Sequence, residues 1–181
     1  TLAAMKLYDE ESFDLDDKLK EHLSCDPRST IRNISLRKIF THQSGLQSNM
    51  PIAPYIMDRR ADNTDCEGYF CKETKDAYSV RVADHFYFDG RYVDSIWGAV
   101  HRLPVQPHRG FRYSDVNFML IQRMIEEKTG TPLDLFVERE FYGPLGLRHT
   151  AFNPAGRFDP SRIVPTQNDL RWRHQLLHGS V

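Results

Sequence analysis

Three consecutive side chains carry the groups that could do chemistry together: the phenol of Tyr113, the hydroxyl of Ser114 and the carboxylate of Asp115. Such groups handle protons or hold polar parts of a substrate when something rigid positions them. All three stand directly ahead of the apolar run Val116 to Ile125. Within that run Val116, Leu120, Ile121, Met124 and Ile125 recur at spacings of three and four, which predicts a helix with one buried face. Gly130 supplies the stop, because glycine accepts the left-handed conformation of a helix C-cap. A helix anchored in this way can hold polar side chains at the edge of a cleft. The plainer alternative is an ordinary helix N-terminus capped by Ser114 or Asp115.

Other chemistries find little support. The chain has no Gly-x-Ser-x-Gly elbow, no phosphate-binding Gly-x-x-x-x-Gly-Lys-Ser/Thr, no Gly-x-Gly-x-x-Gly and no His-Glu-x-x-His. Cys25, Cys66 and Cys71 match no zinc spacing. A Cys66–Cys71 disulfide is conceivable, but free thiols are expected. The histidines are scattered, and Asp14, Asp16 and Asp17 lack the glycine and distal glutamate of a calcium loop. No metal and no cofactor are therefore expected. Nor is a self-sufficient serine or cysteine catalytic set expected within these residues, a Ser-x-x-Lys nucleophile included.

The 181 residues suggest one domain, 1–181, large enough to bury most of its unfolded surface. With 24 basic and 25 acidic residues the net charge is −1, so no global field attracts nucleic acid. Aromatic residues make up 12% of the chain, which argues for a packed core over disorder. No apolar run reaches the length of a transmembrane segment.

The elements needed to carry Tyr113–Asp115 can be placed in order. Residues 2–10 read as the tail of a helix with Leu2, Met5 and Tyr8 on its buried face. Asp14-Leu15-Asp16-Asp17 opens a short helix through Leu19 and Leu23, and Ile31 and Ile34 mark a brief extended piece. Ser35 caps a helix burying Leu36, Ile39 and Phe40 that Gly45 ends. From about 47 to 109 the periodicity fades into a long loop, with Asp58, Asp62, Asn63 and Asp65 among its irregular residues. Asp89-Gly90 between aromatic runs signals a hairpin turn, and Ile96, Trp97 and Val100 a short helix before Pro104. Thr131 caps a helix beginning at Pro132, with Leu133, Phe136, Val137 and Phe141 inside. The remainder is mostly loop, with a short helix near 168–177. The predicted fold class is mostly α with long loops and a short hairpin.

At this resolution of reading the chain resembles a family. Ile34-Ser35-Leu36-Arg37-Lys38-Ile39-Phe40-Thr41-His42-Gln43-Ser44-Gly45-Leu46 is similar to the "LLTHxSGL" segment of the serine β-lactamase-like proteins. These comprise class C β-lactamases, D-Ala-D-Ala carboxypeptidases and related esterases. Phe111-Arg112-Tyr113-Ser114-Asp115 resembles their Tyr-x-Asn motif, and Pro144-Leu145-Gly146-Leu147-Arg148-His149-Thr150 their "PLGMxxT" signature. Leu2 to Asp17 resembles the stretch just after the family's Ser-x-x-Lys. Ile163 to Asp169 and His178-Gly179 resemble a branch found in Bacteroidetes-type bacteria, some of whose members are fused to β-N-acetylhexosaminidase-like glycoside hydrolases.

The resemblance implies the helical part of the α+β β-lactamase/penicillin-binding-protein-like fold, with the nucleophilic serine and its lysine upstream of Thr1 and a third motif further along. It implies an acyl-enzyme mechanism on an ester, D-amino-acid amide or β-lactam-like substrate. Tyr113 would be the catalytic proton relay, and Ser114 and Asp115 would line the substrate site. An ionised Asp only accepts hydrogen bonds where the family's Asn also donates, which makes amide substrates less favoured. A second register, Tyr-Ser-Asp as a Ser-Asp-Asn motif, would make Ser114 the relay, but the flanking signatures favour Tyr113. The parent is expected in a bacterial periplasm or cell envelope, acting on a small-molecule or muropeptide-like substrate. The chain alone is expected to be inactive, and to associate with another copy or with the remainder of its own protein. The competing expectation is a non-catalytic module that binds a cell-wall fragment or a protein partner.

Overall fold

The computed structural model describes residues 1–56, 66, 68–107, 110–170 and 172–178. In chain order its helices are α1 (Leu2–Asp9), α2 (Leu36–Phe40), α3 (Ala53–Ile56), α4 (Val93–His101), α5 (Asp115–Thr129) and α6 (Leu133–Val137). Its strands are β1 (Phe70–Cys71), β2 (Val80–Ala83), β3 (Phe86–Phe88), β4 (Gln167–Asp169) and β5 (Gln175–Leu177). Asp58, Asp62, Asn63, Asp65 and Gly179 lie outside the described residues. The chain divides into two compact units, Thr1–Pro51 with Trp97–Leu147, and Ile52–Ile96 with Arg148–Val181.

The first unit is built around α5, which packs against α1, α2 and α6. Its expected stripe is inside: Val116, Leu120, Ile121, Met124 and Ile125 are all buried. Burying each such side chain is worth about 1.5–3 kcal/mol, so this face is what holds the unit together. Gly130 closes the helix at φ 62°, its N–H donating to the Glu126 carbonyl at 2.9 Å. On α1 the inward face is Ala3, Ala4 and Leu7, whereas Leu2, Met5 and Tyr8 are exposed. The expected orientation was therefore reversed. Both faces are apolar, and the one with two alanines lets the helix backbone approach its neighbours closely.

Local hydrogen bonding overrides other expected elements. Asp14 N–H donates to Asp17 Oδ2 at 2.7 Å and Asp16 N–H to Asp14 Oδ1 at 2.8 Å, so these acids stabilise turns. Only a three-residue 3₁₀ turn, Leu19–Glu21, follows in place of a helix. Ile31 and Ile34 are buried, but a second 3₁₀ turn, Ile31–Asn33, replaces the extended piece. α2 ends at Phe40, because His42 at φ 54° already turns the chain away. Gly45 has another duty. It sits at φ 78°, and a Cβ there would lie 2.1 Å from the Gln106 carbonyl oxygen. Gln106 N–H donates to the Gly45 carbonyl at 3.0 Å, so the glycine permits two backbones to touch. At α6 the residue before the helix is Pro132, not Thr131. Thr131 instead exchanges hydrogen bonds with Thr129.

In the second unit the expected long loop contains α3, part of α4 and a three-stranded antiparallel sheet of order β1-β3-β2. The hairpin turn lies at Asp84-His85, with His85 at φ 47°, rather than at Asp89-Gly90. Buried Asp89 accepts from its own Arg91, through the backbone N–H at 3.0 Å and Nη2 at 2.6 Å, and so starts a 3₁₀ turn. Where a helix was expected near 168–177, β4 and β5 pair antiparallel. Leu177 is buried with Phe70, Phe86 and Phe88, and the Gln175 amide accepts from Asp84 N–H and donates to its carbonyl. Side-chain clamps of this kind are invisible to periodicity.

Cys66 and Cys71 form a disulfide, against the expectation of free thiols. Their Cα atoms come within 4.6 Å, inside the range a disulfide spans. Spacing alone does not report that approach. Cys25 is a free, half-buried thiol.

Two of the positive-φ glycines, Gly45 and Gly146, allow a controlled comparison. Gly146 has open space around a would-be Cβ at φ 63°, so Gly146→Ala should cost only about 1–2 kcal/mol in urea unfolding. Gly45→Ala meets a backbone carbonyl as well and should cost at least about 3 kcal/mol, or abolish folding. Equal midpoints for the two variants would overturn the close-approach argument.

Candidate functional site

The segment 42–48 and the start of α5 are joined by a buried polar network. Asn117, fully buried in the first turn of α5, accepts from Ser44 Oγ at 2.7 Å through Oδ1. Its Nδ2 lies 3.1 Å from Nδ1 of His42, which also accepts the Ser114 backbone N–H at 3.2 Å. A backbone donor aimed at Nδ1 makes that nitrogen an acceptor, so a neutral imidazole here carries its proton on Nε2. Ser44 Oγ in turn accepts the Leu46 N–H at 3.2 Å. Two backbone bonds complete the seam: Arg112 N–H to the His42 carbonyl and Asp115 N–H to the Ser48 carbonyl, each at 2.8 Å.

This arrangement settles how the α5 N-terminus is capped. The first N–H groups of a helix lack partners within it. Ser114 stands at the cap position without a side-chain capping bond. Neighbouring chain takes the Ser114 N–H through His42 Nδ1 and the Asp115 N–H through the Ser48 carbonyl, while the Asn117 N–H reaches the Ser114 carbonyl at 3.3 Å. The Ser114 hydroxyl points the other way, donating to the Gln47 carbonyl at 2.5 Å, and the residue is fully buried. Ser114 is thus placed as a structural tie and does not line an open surface.

Tyr113 and Asp115 remain accessible. Tyr113 is 58% exposed and Phe111 69%, and both pack against one face or edge of His42, with ring centroids 4.7 and 5.6 Å away. Phe118 adds a third ring at 5.3 Å. His42 is therefore a post around which the aromatic residues are arranged. Tyr113 shares a hydrogen bond with Asp115, and that bond, followed by the negative charge itself, holds the phenol above its ordinary value. A carboxylate beside a phenol opposes its ionisation. Arg112, the nearest cation in sequence, is turned to Gln106, with Nη1 2.9 Å from Oε1.

Of the three expected site residues, the structure brings Tyr113 and Asp115 together at the surface and withdraws Ser114. His42, Ser44 and Asn117 are the positions that sequence reasoning did not assign a role. Asn117 had a signal: it is a polar residue within an apolar stripe, three positions after Ser114.

Two spacings passed over in the sequence are resolved by the fold. Ser35-Leu36-Arg37-Lys38 does have Ser-x-x-Lys spacing, contrary to the expectation that the chain holds none. Ser35 is nearly buried at the start of α2 while Lys38 is exposed, so the two do not form a shared reactive centre. His174 and His178 are four apart, but β5 lies between them, so no single helical face carries both. Among the described residues Asp17, Glu21 and His22 bring ligand atoms within 4.8 Å of one another. There Asp17 Oδ2 already meets His22 Nε2 at 2.8 Å and Asp14 N–H at 2.7 Å, which accounts for the cluster.

Comparison with known proteins bears on the chain's family and fold. The beta-lactamase family model matches residues 1–173. A protein of Escherichia coli (strain K12) named as a D-alanyl-D-alanine carboxypeptidase is 43% identical over 77 residues, 42% of this chain and 18% of its own. A Salmonella gallinarum protein of the same name is 42% identical over the same length. The match thus spans under a fifth of these relatives. Among solved structures, a D-stereospecific amidohydrolase from Streptomyces sp. superimposes with TM-score 0.55 at 23% identity, over 83% of this chain and 40% of its own. A beta-lactamase/D-alanine carboxypeptidase from Yersinia pestis gives TM-score 0.53 at 19% identity, over 84% and 37%. At these identities the superpositions show the fold.

The Tyr113–Asp115 pairing has a direct readout. Asp115→Asn removes the charge that opposes phenolate formation, so the Tyr113 phenol should titrate lower, toward the ordinary value near 10. Ultraviolet titration, with Tyr113→Phe as the difference reference, measures it. An unchanged or raised titration in Asp115→Asn would show that the carboxylate does not govern the phenol.

Proposed function

The chain belongs to the beta-lactamase family, and on that premise we propose that it is the helical, cleft-forming part of a serine hydrolase. The substrate is an ester, a D-amino-acid amide or a β-lactam-like ring, attacked by a serine to give an acyl-enzyme that water hydrolyses. In this reading Tyr113 carries the proton between the serine and the leaving group, and Asp115 contacts the substrate. The observation that carries it is the seating of Tyr113: an accessible phenol at the mouth of a rigid helix, braced by the His42 ring and the buried Asn117. Helix-borne, well-supported side chains are what proton transfer at a fixed distance demands.

One observation favours a second reading. Asp115 opposes the phenolate that a proton relay must pass through. Among the described residues no lysine or arginine forms an ion pair with Asp115, and such a surface suits binding better than proton transfer. A non-catalytic module holding a cell-wall fragment or a protein partner would keep the fold and lose the chemistry.

Because the chain spans 32–40% of the structural relatives' length, the deciding experiment compares it with a chain of the relatives' full length. The longer protein should hydrolyse an activated ester and take up a fluorophosphonate covalently. Tyr113→Phe should lower its kcat by about 10²–10⁴-fold with little change in KM. The 181-residue chain should show no turnover. Absence of adduct and turnover in the longer protein would leave the binding module standing.

The proposed location is the bacterial periplasm or cell envelope. The Cys66–Cys71 disulfide supports it, since such bonds persist in oxidising compartments. Protein acid-trapped from its native cells and alkylated after denaturation should expose one thiol, that of Cys25. Three alkylated thiols would contradict an oxidising location.

A further inference from the structure

We propose that residues 149–164 of the second unit form a binding site for a small monocarboxylate with an apolar body, its carboxylate held by Arg162. The inference does not rest on the chemistry proposed for Tyr113. This segment folds around a cavity of about 390 Å³, a size that small-molecule sites have. The polar lining is His149, Thr150 and Arg162, and the apolar lining includes Phe158, Ile163 and Val164. No carboxylate lines it.

Two turns hold the walls. Pro154–Gly156 and Pro160–Arg162 are 3₁₀ turns that each begin on a proline, whose ring fixes φ. Asp159 caps the second turn, its Oδ1 accepting the Ser161 N–H at 2.9 Å and the Ser161 hydroxyl at 2.6 Å. The Asp159 carboxyl is held below its ordinary value by these Ser161 bonds first and by the Arg162 charge last. Asp159 therefore senses the guanidinium while its Oδ1 is spent on Ser161. Arg162 itself directs Nη2 toward Nδ1 of His149 at 3.2 Å. An imidazole nitrogen accepting that bond is unprotonated, so a neutral ring carries its proton on Nε2. The His149 ring is seated beside Phe158, with centroids 6.5 Å apart. One arm of the guanidinium is thus fixed, and the planar fork keeps further N–H donors for a ligand. Among the described residues Arg162 forms no ion pair.

The lining holds donors on Arg162, Thr150 and His149 and offers no carboxylate, which selects an anion. Two parallel N–H groups of a guanidinium match the two oxygens of a carboxylate. One full positive charge among apolar walls disfavours a phosphate dianion, which needs more donors to replace its water. The apolar side chains receive a hydrocarbon body instead. Val164, 85% exposed, leaves that side of the cavity open to an entering ligand.

The test is binding to the 181-residue chain, read from the backbone amide resonances of residues 149–164. Hydrocinnamate is compared with its neutral amide, hydrocinnamamide, with acetate and with inorganic phosphate. Hydrocinnamate should bind at least about tenfold more tightly than its amide and than acetate. Its advantage over the amide should shrink severalfold when salt is raised from ~0.05 to ~0.5 M, as an exposed ion pair requires. Arg162→Gln should bring hydrocinnamate and its amide within about twofold. Arg162 is exposed, so this variant should keep the parent's thermal midpoint. Val164→Asp, a second change at an exposed position, should weaken hydrocinnamate by at least about threefold and leave the amide unchanged. Equal binding of hydrocinnamate and its amide overturns the proposal, as does a preference that survives Arg162→Gln. Acetate binding as tightly as hydrocinnamate removes the apolar body, and phosphate binding more tightly replaces the carboxylate; either result overturns it. So does the absence of any response of residues 149–164 to hydrocinnamate.

Discussion

The structure of the first unit depends on one buried contact: Asn117 of α5 held between Ser44 and His42. A fully buried amide is costly unless its donors and acceptor are used, and here the partners come from a segment more than 70 residues away. Losing either partner would leave a polar group stranded in the core, which costs about 1–3 kcal/mol. The contact therefore acts as a register device. It fixes which turn of α5 meets which residue of the 42–48 segment, something that interchangeable apolar contacts cannot do. The close approach at Gly45 and the seam through Ser48 follow from that register.

The same contact links fold to site. His42 presents one nitrogen to the backbone and to Asn117, and its ring to Tyr113, Phe111 and Phe118. With its Nδ1 occupied, the ring cannot turn freely, and the aromatic side chains that rest on it inherit its orientation. Tyr113 is thus exposed without being loosely held. Its electrostatics point in a different direction from its placement. Tyr113 is held accessible, while the neighbouring Asp115 favours the protonated phenol.

The second unit is stabilised by other means. Stacked and edge-on aromatic rings, among them Phe70, Phe86 and Trp172, form its centre. Two aspartates buried beside arginines, Asp89 with Arg91 and Asp169 with Arg173, anchor its turns. Removing Arg91 leaves the buried Asp89 carboxylate without its charge partner, and removing either member of the Asp169–Arg173 pair leaves the other charge buried and uncompensated.

The sequence by itself determined the helix α5 with its glycine stop, the buried stripe of that helix, α4, the start of α2 and the family motifs, because each depends on spacing within one stretch of chain. It also marked Tyr113 and Asp115 as neighbours at a helix start. Tertiary structure alone decided the rest. Which face of α1 turns inward depended on how closely alanines let another helix approach. Whether residues 167–177 became a helix or a hairpin depended on the Asp84 turn and the aromatic cluster that receive them. Ser114 is drawn inside because its hydroxyl donates to the Gln47 carbonyl, and Cys66 met Cys71 because their Cα atoms come within 4.6 Å. Each of these outcomes is an energy of contact between distant residues, and no local period or propensity contains it.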